Sequence, residues 1–280
     1  MAKPSRWRDA IRANRRRMDA DLASGSRRRL ASPIFYGQYQ VTLPLMLRYV
    51  QGTVLDAGCG DVPFKEYLAD RASRYDTLDL FPRTADVTYV ADIQAMPEVP
   101  DGAYSSAICL EVLEHVPDPF RAVRELFRVL APGGVLIVSV PHLSRLHDEP
   151  HDFYRYTRYG LARLLEQAGF RVVHLSRRGG LFSFLGHQVS TVVLGSVWSV
   201  PVLREVAWFL NSWLVTRLCY RLDQIIDPGD VFAAGYSGVA VKPDSPSPPA
   251  PLPEGEGSVS PFSPWEKGAG GMREHRAVGP

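Results

Sequence analysis

Residues 53–64, TVLDAGCGDVPF, constrain this chain more than any other stretch. A short apolar run leads into Asp56, Gly58 and Gly60 and then into Pro63. Proline suits the first turn of a helix, so the sequence predicts strand, glycine turn, helix. Such a corner makes a shelf for a ligand. Glycine lets a ligand approach the backbone closely, and a helix start offers unpaired N–H groups. A dinucleotide site would want G-x-G-x-x-G. Here Pro63 stands at the third glycine position, and Asp61 puts a carboxylate where a pyrophosphate would lie. Both weigh against a nicotinamide cofactor and favour a ligand without phosphates, such as one ending in an amino acid. The plainer reading is a turn that only closes a strand–helix corner.

Strands and helices alternate along the rest of the chain. Residues 75–80 (YDTLDL), 87–91, 104–110 (YSSAICL) and 135–140 (VLIVSV) read as further strands. The last is continuously apolar, as in a sheet buried on both faces. Phe120, Val123, Leu126, Phe127 and Leu130 recur at i, i+3, i+4 spacing, an amphipathic helix over 119–130 that Pro132, Gly133 and Gly134 should stop. Another helix runs from Thr157 to Gly169, and 170–176 and 231–241 read as the last two strands. Residues 34–50 read as one or two helices broken near Pro44. The alternation argues for an α/β fold with a doubly wound, mostly parallel sheet. Ligands of such sheets bind beyond the carboxyl ends of the strands. The glycine turn, Asp79, Asp92 and Glu111 all fall at such ends. Asp79 stands where α/β nucleoside sites place an acid, and one carboxylate can accept from both hydroxyls of a ribose.

The glycine turn resembles motif I of the class I S-adenosylmethionine-dependent methyltransferases, with Val62 near the family's usual third glycine. Residues 110–117 (LEVLEHVP) resemble the family's post-strand motif. The resemblance implies a seven-stranded Rossmann-like sheet closed by an antiparallel hairpin, with S-adenosylmethionine as cofactor. It implies donor contacts at Asp56, Gly58, Gly60, Asp79 and Leu80, at Asp92 and Ile93 for the adenine, and at Leu110 and Glu111 for the methionine half. Tyr36 and Tyr39 lie in a stretch that covers the donor in the family; ordinary packing on the sheet is the competing reading. No Asn or Asp followed by Pro-Pro and an aromatic follows strand four, which disfavours methylation of exocyclic base amines. The segment HDEPHDFYRYT resembles a methyltransferase type 11-like subgroup linked to glycan or lipid-carrier modification.

Residues 141–159 follow strand five and are dense in titratable and aromatic groups, as an acceptor site would be. His142, His147 and His151 are the candidate general bases, since histidine titrates near the working pH. His142 comes first because it directly follows the strand. His147, Asp148, His151 and Asp152 form an H-D-x-x-H-D pattern, but Pro150 interrupts any helix that could bring both histidines to one metal, and no metal is expected. The expected reaction is methyl transfer to oxygen or carbon of a small-molecule, glycan or lipid-linked acceptor. The alternatives are a non-catalytic module that keeps the fold and, less favoured, a nicotinamide dehydrogenase.

Net charge is only +2, which gives no global pull toward nucleic acid. Cys59, Cys109 and Cys219 are scattered, as suits a reducing cytosol. Residues 1–33 form a basic extension with a thin apolar face, read as solvated rather than as a lipid or nucleic-acid contact. Residues 34–243 make the methyltransferase domain. It carries an apolar helical insertion, 179–230, before the last strand. Residues 181–203 are long enough to cross a bilayer, about 20 residues, but rather polar for it. Residues 204–226 read as an amphipathic helix. Peripheral membrane contact through 181–226, an acceptor pocket or dimer face, and a helical cap all remain open. Residues 244–280, rich in Pro, Gly, Ser and Glu, are expected to be disordered.

Overall fold

The computed structural model describes residues 27–83, 87–226 and 231–244, with residues 13, 14, 17, 18 and 20–22. The expectations for 245–280 and for the basic residues before position 13 lie outside the described residues. Short helices α1 (Arg28–Ala31), α2 (Pro33–Gly37) and α3 (Leu43–Tyr49) precede β1 (Gly52–Ala57), β2 (Ala72–Asp79), β3 (Tyr89–Val90) and β4 (Tyr104–Leu110). Then come α4 (Pro119–Val129), β5 (Leu130–Pro141), α5 (Arg158–Gln167) and β6 (Arg171–Arg177). The insertion holds α6 (Leu181–Val197), α7 (Pro201–Leu210) and α8 (Leu218–Ile226), and β7 (Gly235–Val241) follows.

The seven strands form one sheet in the order β3-β2-β1-β4-β5-β7-β6. Pairing is parallel from β3 to β5, and β7 runs antiparallel between β5 and β6. This is the expected seven-stranded, mostly parallel sheet of a Rossmann-like methyltransferase fold. Strand order reverses between β1 and β4, so the carboxyl ends of these neighbours open a crevice. Side-chain alternation sorts the core. Val54, Ile108, Ile137 and Val239 face Met46 and Val50 of the α3 segment with Phe64 and Leu68. Leu55, Ala107, Leu136 and Val138 face Val123, Leu126, Leu161 and Leu165 of α4 and α5. Both faces are therefore covered, which explains the apolar strands.

Several expected boundaries move. No helix follows the glycine turn: the segment holds one 3₁₀ turn, Lys65–Leu68. Val62 at φ 51 reverses the chain direction just before Pro63, and a left-handed residue cannot join a right-handed helix. Helix α4 ends at Val129, before Pro132, because Leu130 is already extended and pairs with Tyr104. Lys242 Nζ caps its end, donating to the carbonyls of Phe127 (2.8 Å) and Leu130 (2.6 Å). Pro44 does not break the helical run; a π-helical stretch over Gln38–Thr42 precedes it. The wider coil absorbs the hydrogen bond that proline cannot make.

The basic extension is not merely solvated where it is described. Met18 and Leu22 are buried against Leu194 and Trp198 of the insertion, and Asn14 Nδ2 donates to the Gly195 carbonyl at 2.7 Å. No described helix is long and apolar enough to cross a membrane. Pro201 begins a separate helix, so the apolar run of 181–203 is divided.

Candidate active site

The shelf after β1 is built from backbone. The Gly58 and Cys59 N–H groups both donate to the Leu78 carbonyl, at 2.7 and 3.1 Å, which ties the turn to β2. Gly58 has φ +76, and a Cβ there would lie 2.3 Å from Val112 Cγ2. Val112, two residues past β4, therefore packs on this glycine so closely that no side chain fits. A Cβ on Gly60 (φ +52) would meet nothing within 4 Å, so its backbone borders open space that a ligand can enter. Asp61 lies 3.7 Å from Arg83 Nη1 and 4.0 Å from Arg28 Nη1. Tyr39 packs on Phe64, ring centroids 5.0 Å apart, and so sits beside this loop; Tyr36 instead stacks edge-on with Tyr220 of α8.

Two aspartates meet here. Asp79 accepts from Gly60 N and Phe81 N, both at 2.9 Å, one on each carboxylate oxygen. Each oxygen keeps a lone pair for a further donor. Leu80 beside it is half exposed. Asp56 is buried and accepts from the Tyr75 hydroxyl at 2.7 Å. Burial pushes its carboxyl up to about 6, the Tyr75 bond partly opposes this, and the charge of Asp79 adds to it. Asp92, beyond β3, turns onto its own loop and accepts from Gln94 N and Nε2. Ile93 is taken into the main core. Asp56, Gly58, Gly60, Asp79 and Leu80 are thus brought together, while Asp92 is held by its own loop and Ile93 by the core.

At the β4 end, Leu110 packs on the α3-side core. Glu111 has φ 55, and its Oε1 accepts from Ser139 Oγ (2.8 Å) and from Arg178 Nη2 (2.5 Å). Arg178 is a wholly buried guanidinium that also donates to the Val140 carbonyl. It fastens the ends of β4 and β5 to the segment after β6. Nothing in the sequence marks it, because its role depends on pairing across 67 residues.

The loop over 142–156 is stitched onto the turn Leu113–His115. Phe153 N and Tyr154 N donate to the Glu114 carbonyl, and the Tyr156 hydroxyl donates to that of Leu113. His142 lies beside Tyr236, and its Nδ1 is buried with no partner among the described residues. His147 stands edge-on to His115, centroids 4.7 Å apart. His151 is exposed against Phe153, so each of the three candidate bases has a different aromatic neighbour. Glu114 and His115 look in the sequence like mere continuation of the post-strand motif. Among the described residues, three non-glycine residues have left-handed backbones, Val62, Glu111 and Asp148, and all three lie in this region. Such strain gathers at functional sites.

The open backbone at Gly60 and the spare acceptor capacity of Asp79 fit the amino-acid-tailed nucleoside S-adenosylmethionine. A family model described as a methyltransferase domain matches residues 12–175. A probable S-adenosylmethionine-dependent methyltransferase of Mycolicibacterium smegmatis is 31% identical over 184 residues, 55% of this chain and 70% of that protein. The ubiquinone biosynthesis O-methyltransferase of Xanthomonas oryzae pv. oryzae is 30% identical over 116 residues, 34% of this chain. The match spans about half, 48%, of that relative's length. Among solved structures, the Burkholderia thailandensis 1,6-didemethyltoxoflavin-N1-methyltransferase with bound S-adenosylhomocysteine is similar over 87% of this chain and 92% of its own, at 16% identity and a TM-score of 0.47. The chain belongs to the methyltransferase domain family and is an S-adenosylmethionine-dependent methyltransferase.

Proposed function

We propose that this enzyme methylates a hydroxyl oxygen of a small-molecule acceptor. The observation that carries the reading is the histidine-bearing loop of 142–156, bonded to the turn that follows β4, next to the strand that bears the glycine shelf. A hydroxyl needs a base and a carboxylate does not, so a side of the site lined with histidines suits oxygen of higher pKa. The O-methyltransferase named among the relatives supports the same class.

S-adenosylmethionine supplies a methyl carbon made electrophilic by its sulfonium. Asp79 would hold the ribose hydroxyls, and Asp56 would face the cationic end of the donor. The Gly58–Gly60 turn would let the donor lie against backbone, and Glu111, fixed by Arg178, would border the methionine half. Asp92 and Leu110 would frame the remaining donor edge. The chain's own part is to orient the acceptor hydroxyl toward that methyl group and to take its proton on His142. The protein's contribution is mainly position and orientation.

The exposed apolar side chains of the insertion, among them Leu203, Phe209, Trp213 and Leu214, support an acceptor with a lipid tail presented at a membrane surface. The test is transfer of a labelled methyl group to a panel of phenolic, sugar and lipid-linked hydroxyl acceptors, with amine and nucleophilic-carbon acceptors beside them. His142→Ala should lower kcat about 100-fold, the low end of the range of general-base catalysis, with donor affinity unchanged. Methylation confined to nitrogen or carbon acceptors would refute the O-methyl reading.

A further inference from the structure

Glu114 poses a problem that the methyl-transfer chemistry leaves open. It has no exposed surface, and neither carboxylate oxygen meets a hydrogen-bond donor among the described residues. Buried charges are normally paired, fully hydrogen-bonded or bound to metal. Its nearest basic neighbours are two imidazoles, with His115 Nε2 3.7 Å and His147 Nε2 3.9 Å from Glu114 Oε1. One ligand atom from each of the three residues lies within 4.8 Å of the other two. A tetrahedral ion with bonds of about 2.1 Å sets its ligand atoms about 3.4 Å apart, so the cluster has to contract by up to about 1.4 Å to close on one ion.

The far nitrogen of each ring is already placed. His115 Nδ1 lies 2.6 Å from the His151 carbonyl, which can only accept, so Nδ1 carries the proton and Nε2 offers its lone pair toward Glu114. His147 Nδ1 lies 3.5 Å from the buried Asp152 carboxylate and 3.3 Å from the Arg145 carbonyl, with Arg155 Nη2 at 3.4 Å. Asp152 is itself fixed by Arg155 and by the N–H of His147. The carbonyl beside His115 and the Asp152 carboxylate beside His147 are outer partners of the kind metal-bound histidines have; Arg155 Nη2 can only donate, so metal binding at His147 Nε2 requires the Nδ1 proton to face Asp152 rather than Arg155. The cluster is also a different partnership from the H-D-x-x-H-D pattern of 147–152. His151 contributes only its carbonyl, and the carboxylate comes from the turn after β4.

We propose that Glu114, His115 and His147 bind one divalent transition-metal ion, of which Zn²⁺ is the type. Two imidazoles and a carboxylate suit such ions better than Mg²⁺ or Ca²⁺, which prefer all-oxygen sites. Three protein ligands leave at least one position open. Resting on the O-methylation reading, that position takes the acceptor's hydroxyl oxygen and favours its deprotonated form.

The test uses the full-length protein, stripped with a chelator and titrated with Zn²⁺ by calorimetry and with Co²⁺ by visible absorption. The expected result is one ion per chain and ligand-field bands. H147A and H115A should each lose more than about 100-fold in metal affinity, beyond the 10–100-fold range for loss of an outer partner. S-adenosylhomocysteine binding should persist in both, which reports that they fold. No stoichiometric ion in the wild type, or equal affinity in the variants, overturns the site. If both variants fail to fold, anomalous scattering from Co²⁺-soaked wild-type crystals decides: a peak among the three residues supports the site, and no peak refutes it. Product binding without metal binding would sink the metal and leave the methyltransferase standing. Metal binding without methylation of hydroxyl acceptors would sink the O-methyl reading alone.

Discussion

Asp79 sits one strand from the glycine turn and already holds it through Gly60 N. Asp79→Ala should therefore weaken donor binding by about 1–3 kcal/mol, the range for leaving buried polar groups unpaired. Calorimetry with S-adenosylhomocysteine measures this, and unchanged affinity removes Asp79 from the site. Asp56 predicts a pH effect. Its carboxyl is held at about 6 in the folded chain, above its ordinary value of 3.8. Between those values the folded chain binds the proton and the unfolded chain releases it. Stability from this group is thus full below pH 4 and lost as pH rises through 6. The loss reaches about 3 kcal/mol, since each tenfold difference in proton affinity is worth about 1.4 kcal/mol. Asp56→Asn should flatten that slope in urea denaturation run from pH 4 to 8. A cationic donor favours the ionised carboxylate, so donor affinity should rise across the same window in the wild type. Gly58 is legible in the sequence as a turn residue, but its closest constraint is not. Gly58→Ala would drive a methyl into Val112, and an overpacking cost of about 1–3 kcal/mol is expected in denaturation.

Helix α6 shows what an element draws from distant sequence. Its N-cap position, Gly180, supplies no side-chain cap. Asp223 of α8 does this instead, accepting from Gly180 N (2.7 Å), Phe182 N (2.8 Å) and Ser183 N (2.9 Å) while fully buried. A carboxylate at the positive end of a helix satisfies orphan N–H groups and the dipole together. Asp223→Ala should destabilise the protein by at least about 2 kcal/mol, the range for hydrogen bonds to charged groups. Asp223→Asn, which keeps one acceptor, should fall between wild type and Asp223→Ala in the same denaturation assay. Strands β4 and β5 are readable from their apolar runs, and α4 and α5 from their 3.6-residue stripes, because each records the burial of one element's own faces. The helix expected after β1 does not form. Pro63 is a sound local signal for it, and the left-handed Val62 overrides that signal.

At the scale of the whole molecule, the insertion carries many of the exposed large apolar side chains among the described residues. Val202 and Ile225 are each 74% exposed, and Leu203, Phe209, Trp213 and Leu214 lie with them among the exposed residues. If these faces rest on lipid, the protein should co-sediment with vesicles, and Phe209→Ser with Leu214→Ser should release it while methyl transfer to a soluble acceptor continues. Equal sedimentation by wild type and variant would place the contact elsewhere. The sequence by itself determined the alternating strands and helices, the glycine shelf and the aspartates at strand ends, and hence the kind of donor. Those features are written in neighbouring residues, through turn geometry and the periods of strand and helix. Only the tertiary structure decided which distant groups share one space. Arg178 with Glu111, Asp223 with the start of α6, and Glu114 with His115 and His147 meet because strand pairing and loop docking carry them there. No local pattern encodes such meetings, since their energy exists only once the chain has closed on itself.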